Sequence, residues 1–205
     1  MNPATLDLIA QRSSINRFDT SYEMDDASIV ELVRHATQAP SAYNMQNWRF
    51  VAVRTPEQKA RLCDMAYGQK KVLEASVTFI VCGRLNPHLA LRAALQPFRD
   101  AGHVDAATID AMVGSATQVY EGDAQMQRDE AIRSGALAGM TLMIAAQAMD
   151  LVSGPMIGFD PEQVTQGFGL GADEIPVMLI TVGRPAPGNW PKKPRRSAAL
   201  VVDIV

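Results

Sequence analysis

The spacing of apolar residues predicts helices and strands that alternate along the chain. Apolar side chains recur at helical spacing in several segments, and the longest of these contains an apolar stretch from Gly135 to Met149. Predicted helices occupy 3–11, 26–39, 56–66, 69–75, 129–150 and 161–168, with weaker helical patterns over 86–101 and 105–125. Apolar or β-branched runs predict strands at 48–54, 77–82, 151–153, 177–182 and 200–204.

This alternation favours one α+β domain, although an α/β arrangement also fits the order of the elements. With about five strands, we expect a mixed central sheet flanked by helices on both faces. No repeat, low-complexity segment or linker divides residues 1–205. The weak patterns within 87–128 predict a helical excursion on the surface, and residues 190–205 form a C-terminal extension.

The composition is that of a soluble globular protein. Apolar residues make up 47% and charged residues 20% of 205 positions, and the net charge is -3, so neither disorder nor a nucleic-acid partner is expected. The apolar stretch at 135–149 is shorter than the roughly 20 residues of a membrane span. The first ten residues lack an export-signal pattern, and the cysteines and histidines lack metal-ligand spacing. We therefore expect a cytoplasmic protein with no membrane or metal partner.

Two polar segments could bind an anion. The first, from Arg12 to Arg17, combines guanidinium and hydroxyl groups, and an extended backbone would point alternate side chains toward one phosphate. The second is the basic cluster 192–196, whose flanking prolines favour an extended chain. Taken alone, an ordinary solvated loop and a solvated cationic tail explain the two segments more simply.

Two further segments could line a flat polar heterocycle. Ser41, Asn44 and Gln46 supply hydrogen-bonding groups within a turn-rich segment, and the glycines of 154–159 would let a backbone N–H approach a ring nitrogen. A tight turn explains each segment equally well. Gly135 and Gly139 could allow close packing within the chain or against a second copy, because small residues serve both purposes.

Taken in order, these segments resemble the nitroreductase family, whose members are FMN-dependent oxidoreductases. The sequence R-S-S-I-N-R-F at 12–18 resembles the family's R-x-S-x-(K/R)-x-F, and A-P-S-A-Y-N-M-Q-N-W at 39–48 resembles its A-P-S-x-x-N-x-Q-P-W. Residues 68–76 are similar to the segment with the flavin-facing lysine, 155–160 to P-x-x-G-F-D, and the tail around 193–195 to the closing basic motif. Asn16 and Asn47 depart from the family pattern, which leaves open whether Arg17 replaces the basic residue missing at Asn16.

The resemblance implies an FMN site at the interface of a homodimer. No protein side chain is implied to be catalytic, because the chemistry takes place at flavin N5. The implied cofactor-binding residues are Arg12, Ser13, Ser14, Asn16, Lys193 and Arg195 toward the phosphate end, Gln69 and Lys71 toward the pyrimidine edge, and Pro155, Met156, Ile157 and Gly158 near N5. Pro40, Ser41, Ala42 and Asn44 would come from the partner chain.

The implied function is that of an FMN-dependent NAD(P)H oxidoreductase. Such an enzyme takes a hydride from NADH or NADPH and passes two electrons to a nitro compound or quinone in a ping-pong cycle, with the flavin supplying the chemistry. Two alternatives stay open: a flavin-binding or sensing module with little turnover, and a specialised reductase or dehydrogenase on the same scaffold. The residues do not indicate which nicotinamide or which acceptor is used.

Overall fold

Four strands form one sheet in the computed structural model, which describes residues 3–205, with side chains from Thr5 onward. The strand order is β1-β2-β4-β3, and all three neighbouring pairs are antiparallel. The predicted mixed sheet is therefore antiparallel within the described chain. The strands are β1 (Trp48–Val53), β2 (Val77–Arg84), β3 (Val152–Met156) and β4 (Glu174–Gly183).

Helices cover both faces of this sheet, as the apolar pattern predicts. One face packs against α2 and α7, and the opposite face packs against α3, α4 and α8. This arrangement confirms the α+β class. The helices are α1 (Pro3–Gln11), α2 (Asp26–Ala36), α3 (Pro56–Met65), α4 (Lys71–Glu74), α5 (Leu91–Asp100), α6 (Ala106–Tyr120), α7 (Ala124–Ala148) and α8 (Pro161–Gly167).

Strand β2 shows why the sheet is buried on both faces. Its side chains alternate, so Phe79 and Val81 pack in the cluster under α2 and α7, while Ile80 and Cys82 pack in the cluster under α3 and α8. All four side chains are fully buried. A continuous apolar run therefore marks a strand between two helical layers, as predicted for 77–82.

The small residues of α7 pack against the sheet of the same chain. A Cβ atom on Gly135 would lie 3.0 Å from Cγ2 of Val177, and one on Gly139 would lie 2.9 Å from Sδ of Met178. Both glycines thus bring α7 close to β4, which decides between the two roles that the sequence left open. The opposite face of α7 exposes Leu137 and Met140.

Capping residues set the helix starts as expected. The Asp25 side chain accepts a hydrogen bond of 2.8 Å from the Ser28 N–H, and Thr55 caps α3 with Pro56 at its first position. Boundaries elsewhere differ. Helix α7 begins at Ala124 rather than 129, so it takes over part of the predicted excursion. The excursion therefore covers 87–120.

The excursion forms an apolar cluster of its own rather than a loose surface flap. Leu91 and Leu95 of α5 pack against Ile109 and Ala116 of α6. Each helix buries only a narrow apolar stripe, so the helical pattern over 86–125 is weak. The pattern therefore did not predict this packing.

The predicted terminal strand at 200–204 is wrong for the single chain. A short 3₁₀ turn occupies Ala198–Leu200, and the residues after it form no strand. Residues 191–205 are exposed throughout and join none of the strands that the structure describes. Across the described residues, every helix is either too short or too polar to cross a membrane.

Candidate functional site

The segment after α1 lies along the outer edge of β3. The Ile15 N–H donates to the Ser153 carbonyl at 3.0 Å, and Ser14 forms a parallel bridge with Ser153. Gly154 permits this approach, because a Cβ atom there would lie 2.4 Å from the Ile15 carbonyl oxygen. Gly154 was predicted to let the backbone approach a ligand, and in the structure it brings the N-terminal segment onto the sheet.

One side chain joins this N-terminal segment to the C-terminal tail. Oδ1 of Asn189 accepts hydrogen bonds from the N–H groups of Asn16 and Arg17 at 2.9 and 3.0 Å. Its Nδ2 donates to the carbonyls of Arg17 and Ala186 at 2.8 and 2.9 Å. The sequence analysis missed Asn189. Its only local signal is the turn-forming pair Gly188-Asn189, in which Gly188 has a φ of +88°.

The two joined segments enclose a polar cavity of about 200 Å³. Its walls combine four cationic side chains with hydroxyl and amide groups, which suits an anionic ligand. Lining residues predicted from the sequence are Ser13, Ser14, Asn16, Lys71, Pro155, Lys193 and Arg195; the others are Trp190, Pro191 and Lys192.

Arg12 lies beside this cavity in an unusual electrostatic setting. Its Nη1 is buried and has no hydrogen-bond partner in the part of the chain that the structure describes. Burial lowers the pKa of the Arg12 guanidinium, and repulsion from Arg195 lowers it further. Arg12 and Arg195 are thus close enough to repel each other, and a buried anion between them would relieve both the repulsion and the unpaired N–H group.

Lys71 reaches the same cavity from the first turn of α4. Its Nζ lies 3.5 Å from Oδ1 of Asn16, and burial lowers the pKa of its ammonium group. Asn16 therefore contacts the lysine that the resemblance assigns to the flavin. Arg17, by contrast, does not line the cavity, and its side chain lies beside Gly188.

One tail lysine binds the body of the protein, and a second packs on a ring within the tail. Nζ of Lys192 donates a hydrogen bond to the Ala10 carbonyl near the C-terminus of α1, where cations are favoured. Nζ of Lys193 lies 5.7 Å from the centre of the Trp190 ring, within range of a cation–π contact. The predicted basic motif named Lys193 and Arg195 but gave no specific role to Lys192 or Trp190.

The segment after β3 lies beside Gln69. Nε2 of Gln69 donates to the Gly158 carbonyl at 2.6 Å, and the Ile157 side chain is 81% exposed. Pro155 and Met156 are still within β3, and the Met156 side chain is buried in the core. Met156 could therefore contact a ligand only through its main chain.

The remaining predicted residues lie on a separate loop. Pro40, Ser41, Ala42 and Asn44 do not line the cationic cavity of the described chain. Pro40 directly precedes the segment 41–47, called the 41–47 loop below, which holds the other three, leads into β1 and packs against the excursion. The structure therefore brings together the two chain ends, Lys71 and β3, but leaves this loop apart.

The backbone of the 41–47 loop is strained. Tyr43, Asn44 and Gln46 have φ angles of 52°, 60° and 50°. Asparagine tolerates this left-handed region, but other residues pay roughly 1–3 kcal/mol each to adopt it. Such strain persists only where surrounding contacts hold it, and it is common at binding sites.

A larger cavity of about 410 Å³ lies elsewhere, between α7, α8 and the start of β4. Its walls are mostly apolar, with Ile132, Pro161 and Val177 among them, and it holds no cluster of cations. The smaller cavity is the better candidate, because a ligand site is identified by convergent charged groups and not by size alone.

Comparison with known proteins identifies the family of the chain. The model of the Nitroreductase family matches residues 9–184. YodC of Bacillus subtilis, provisionally named an NAD(P)H nitroreductase, is 32% identical over 180 residues, which cover 88% of this chain and 89% of YodC. A Thermus thermophilus protein named NADH dehydrogenase is 32% identical over 185 residues, covering 88% of this chain and 86% of its own.

A solved structure from Exiguobacterium sibiricum, determined in complex with FMN, superposes with a TM-score of 0.90. It is 26% identical, and the match covers 98% of this chain and 97% of the other. The family match spans the N-terminal segment, the 41–47 loop, Lys71 and β3. On this evidence the chain belongs to the nitroreductase family of oxidoreductases.

Proposed function

We propose that the protein is an FMN-dependent NAD(P)H oxidoreductase that works as a homodimer. The observation that carries the proposal is the cationic cavity, which the N-terminal segment and the C-terminal tail build beside the buried Nη1 of Arg12. The FMN complex of the Exiguobacterium protein and the nicotinamide in the names of the relatives support the same cofactor and donor.

The residues of the cavity fit the phosphate of FMN. A phosphate monoester carries about -1.5 to -2 charges near neutral pH, and its burial is costly without cations. Arg12, Lys193 and Arg195 supply that charge, while the hydroxyls of Ser13 and Ser14 supply further donors. The fit requires no movement of the chain ends, because Asn189 already holds them together.

The same cavity is too small to hold the whole cofactor. At about 200 Å³, it falls below the roughly 300–1,000 Å³ of a complete ligand site. The 41–47 loop, which carries Ser41, Ala42 and Asn44, lies outside the cavity. We therefore propose that a second copy supplies this loop and completes each site.

The C-terminal tail offers a means of joining two copies. Leu200, Val201 and Ile204 are largely exposed, which is unfavourable for an isolated chain in water. Among the described residues, strand β1 pairs with β2 alone, so its outer edge has no strand partner, and an apolar groove that includes Ile29 and Val51 runs beside it. An extended tail from one copy could add to this edge in the other.

Bound flavin would supply hydride acceptance and two-electron transfer. The chain's own groups would orient it and set its charge environment. Lys71, held near Asn16, places a cation where the pyrimidine edge would lie, and a cation there favours electron uptake. Gln69 fixes the segment of Ile157 and Gly158, whose main chain would face the reacting atom. We propose small nitro compounds or quinones as acceptors.

An absorbance spectrum tests the cofactor and the activity together. Purified protein, or protein supplied with FMN, should be yellow, and it should bleach under nitrogen when NADH or NADPH is added. A quinone should then restore the colour with steady turnover. A colourless protein that takes up no FMN would refute the proposal, and a yellow protein without turnover would favour a binding module.

A matched pair of variants tests the phosphate site. Arg12→Gln should weaken FMN binding by about 10- to 100-fold, the loss of one or two charge-assisted hydrogen bonds. Arg17→Gln should change the Kd by less than about threefold, because Arg12 faces Arg195 whereas the Arg17 side chain lies beside Gly188. Fluorescence titration of FMN measures both. Equal losses would show that Arg17 replaces the cation missing at Asn16.

A further inference from the structure

Met45 sits at the centre of the 41–47 loop but points away from its polar residues. Its side chain is 2% exposed and packs with Leu91, Leu95 and Ile109 of the excursion. Met45 is the only buried side chain among residues 41–46, all of which the structure describes, whereas Asn44 and Gln46 are exposed. Met45 is thus the fully buried apolar contact of the loop, the partly buried Ala42 and Tyr43 pack against the same cluster, and Asn47 attaches the end of the loop to Arg84 of β2.

Local hydrogen bonds support the strained backbone of residues 41–46. The Gln46 N–H donates to Oγ of Ser41 at 2.9 Å, and the Met45 N–H donates to the Ala42 carbonyl at 2.9 Å. Both bonds lie within the loop and travel with it. They fix its shape less firmly than contacts to a separate element would, so the left-handed residues need an external anchor.

The excursion provides a fixed platform for that anchor. Gln127 of α7 binds both of its ends, since Oε1 accepts from the Asn86 N–H at 3.2 Å and Nε2 donates to the Tyr120 carbonyl at 2.8 Å. The Tyr120 hydroxyl also lies 3.5 Å from the buried Glu130 carboxylate. The excursion is thus tied to the longest helix of the described chain, which packs on the sheet.

We propose that Met45 is a positioning residue, which holds the 41–47 loop in its left-handed conformation by packing into the excursion. Through this contact the excursion of one copy sets the geometry of the groups offered to the flavin of the other. The inference rests on the proposed function for its effect on flavin, but the anchoring of the loop is a property of the chain alone.

Truncation of the anchor gives the first test. In Met45→Ala the loop spends less time in its binding conformation, and a tenfold loss of that population raises the apparent Kd for FMN about tenfold. Met45→Leu, which conserves volume, should stay within about twofold of the parent. Leu32→Ala is the control, because Leu32 of α2 is fully buried against the sheet and α7, and its truncation costs comparable stability away from the loop.

A suppressor separates anchoring from simple core filling. Gln46→Gly removes the backbone strain at a positive φ and keeps the N–H that donates to Ser41. Combined with Met45→Ala, it should recover most of the lost FMN affinity. A core-filling role predicts no recovery, and that result would overturn the proposal. If Met45→Ala does not fold, the milder Met45→Val replaces it in the same comparison.

Hydrogen exchange of the flavin-free protein gives a readout that needs no cofactor. In Met45→Ala the protection factors of the Met45 or Gln46 loop amides should fall at least about tenfold, while Leu32→Ala leaves them unchanged. Equal protection in both variants would refute the anchoring. If the parent chain binds no FMN, the proposed function fails, whereas the exchange result still decides the role of Met45.

Discussion

In two regions of this molecule, the amide of a single side chain joins two separate segments. One amide lies in polar surroundings and the other in apolar surroundings. Asn189 joins the N-terminal segment to the tail through four hydrogen bonds within a polar, partly exposed loop. Gln127 joins the two ends of the excursion through two hydrogen bonds, and it is 8% exposed beside an apolar cluster. The same chemical group thus closes a cationic cavity in one region and an apolar cluster in the other.

The difference indicates which region determines ligand affinity and which determines the stability of the domain. Water can replace the partners of Asn189, so its loss should loosen the proposed anion site but not the domain. Water cannot readily reach the partners of Gln127, so its loss leaves a buried donor and acceptor unpaired. We expect variants of the first region to change ligand affinity and variants of the second to change the free energy of unfolding.

The largest effect should come from removing the tail cations. A chain that ends at Pro191 lacks Lys192, Lys193 and Arg195, which line the cavity. Each charge-assisted contact contributes about 1.5–3 kcal/mol, so the Kd for FMN should rise by at least about 1,000-fold. Fluorescence titration measures the Kd, and thermal unfolding of the flavin-free chain should change little.

A chain that ends at Arg196 is the matched control. It keeps the three cations but lacks the exposed apolar residues of 197–205. Sedimentation should show a monomer, and the loss of the partner's loop should weaken FMN binding by only about 10- to 30-fold. Equal losses in the two shortened chains would show that the cations contribute nothing.

Gln127→Met should produce the largest loss of stability. The substitution keeps the length of the side chain but leaves the Asn86 N–H and the Tyr120 carbonyl without partners. Two buried unpaired groups should lower the free energy of unfolding by about 2–3 kcal/mol, measured by urea denaturation. The Kd for FMN should change by less than about threefold, because Met45 still packs in its cluster.

Asn189→Leu should weaken FMN binding with little loss of stability, the reverse of Gln127→Met. Loss of its four hydrogen bonds separates the N-terminal segment from the tail, so the Kd for FMN should rise by about 30-fold. The free energy of unfolding should fall by less than about 1 kcal/mol, because water replaces most of the lost partners. If Asn189→Leu proved as unstable as Gln127→Met and kept its FMN affinity, the proposed separation of affinity from stability would be wrong.

The sequence predicted the cationic cavity better than the excursion, for a physical reason. The anion site depends on side chains of distinctive chemistry, so Arg12, Lys71 and Arg195 stand out in the sequence even though their convergence is a tertiary event. Asn189 does not stand out, because an asparagine after a glycine is typical of any turn. The support of the 41–47 loop by Met45 depends on packing between segments that no local pattern connects.

The prediction of a strand at 200–204 failed for a related reason. Runs buried on both faces, such as 77–82, have a composition that the interior demands, and β2 matches its prediction closely. The run at 200–204 is also rich in apolar residues, but it pairs with none of the strands in the described part of the chain. A strand depends on its partner as well as on its sequence, so this prediction awaits the second copy.

The smallest effect concerns pH and sharpens the role of Lys71 within the cationic cavity. Burial lowers the pKa of Lys71 in the free protein, and a bound anion would raise it again. Above the lowered pKa of Lys71 in the free protein, the FMN complex therefore binds more protons than the free protein does. FMN affinity should therefore fall as pH rises through that pKa toward 10.5, by about fivefold. Lys71→Met should abolish this part of the pH dependence, and an unchanged slope in that variant would remove Lys71 from the site.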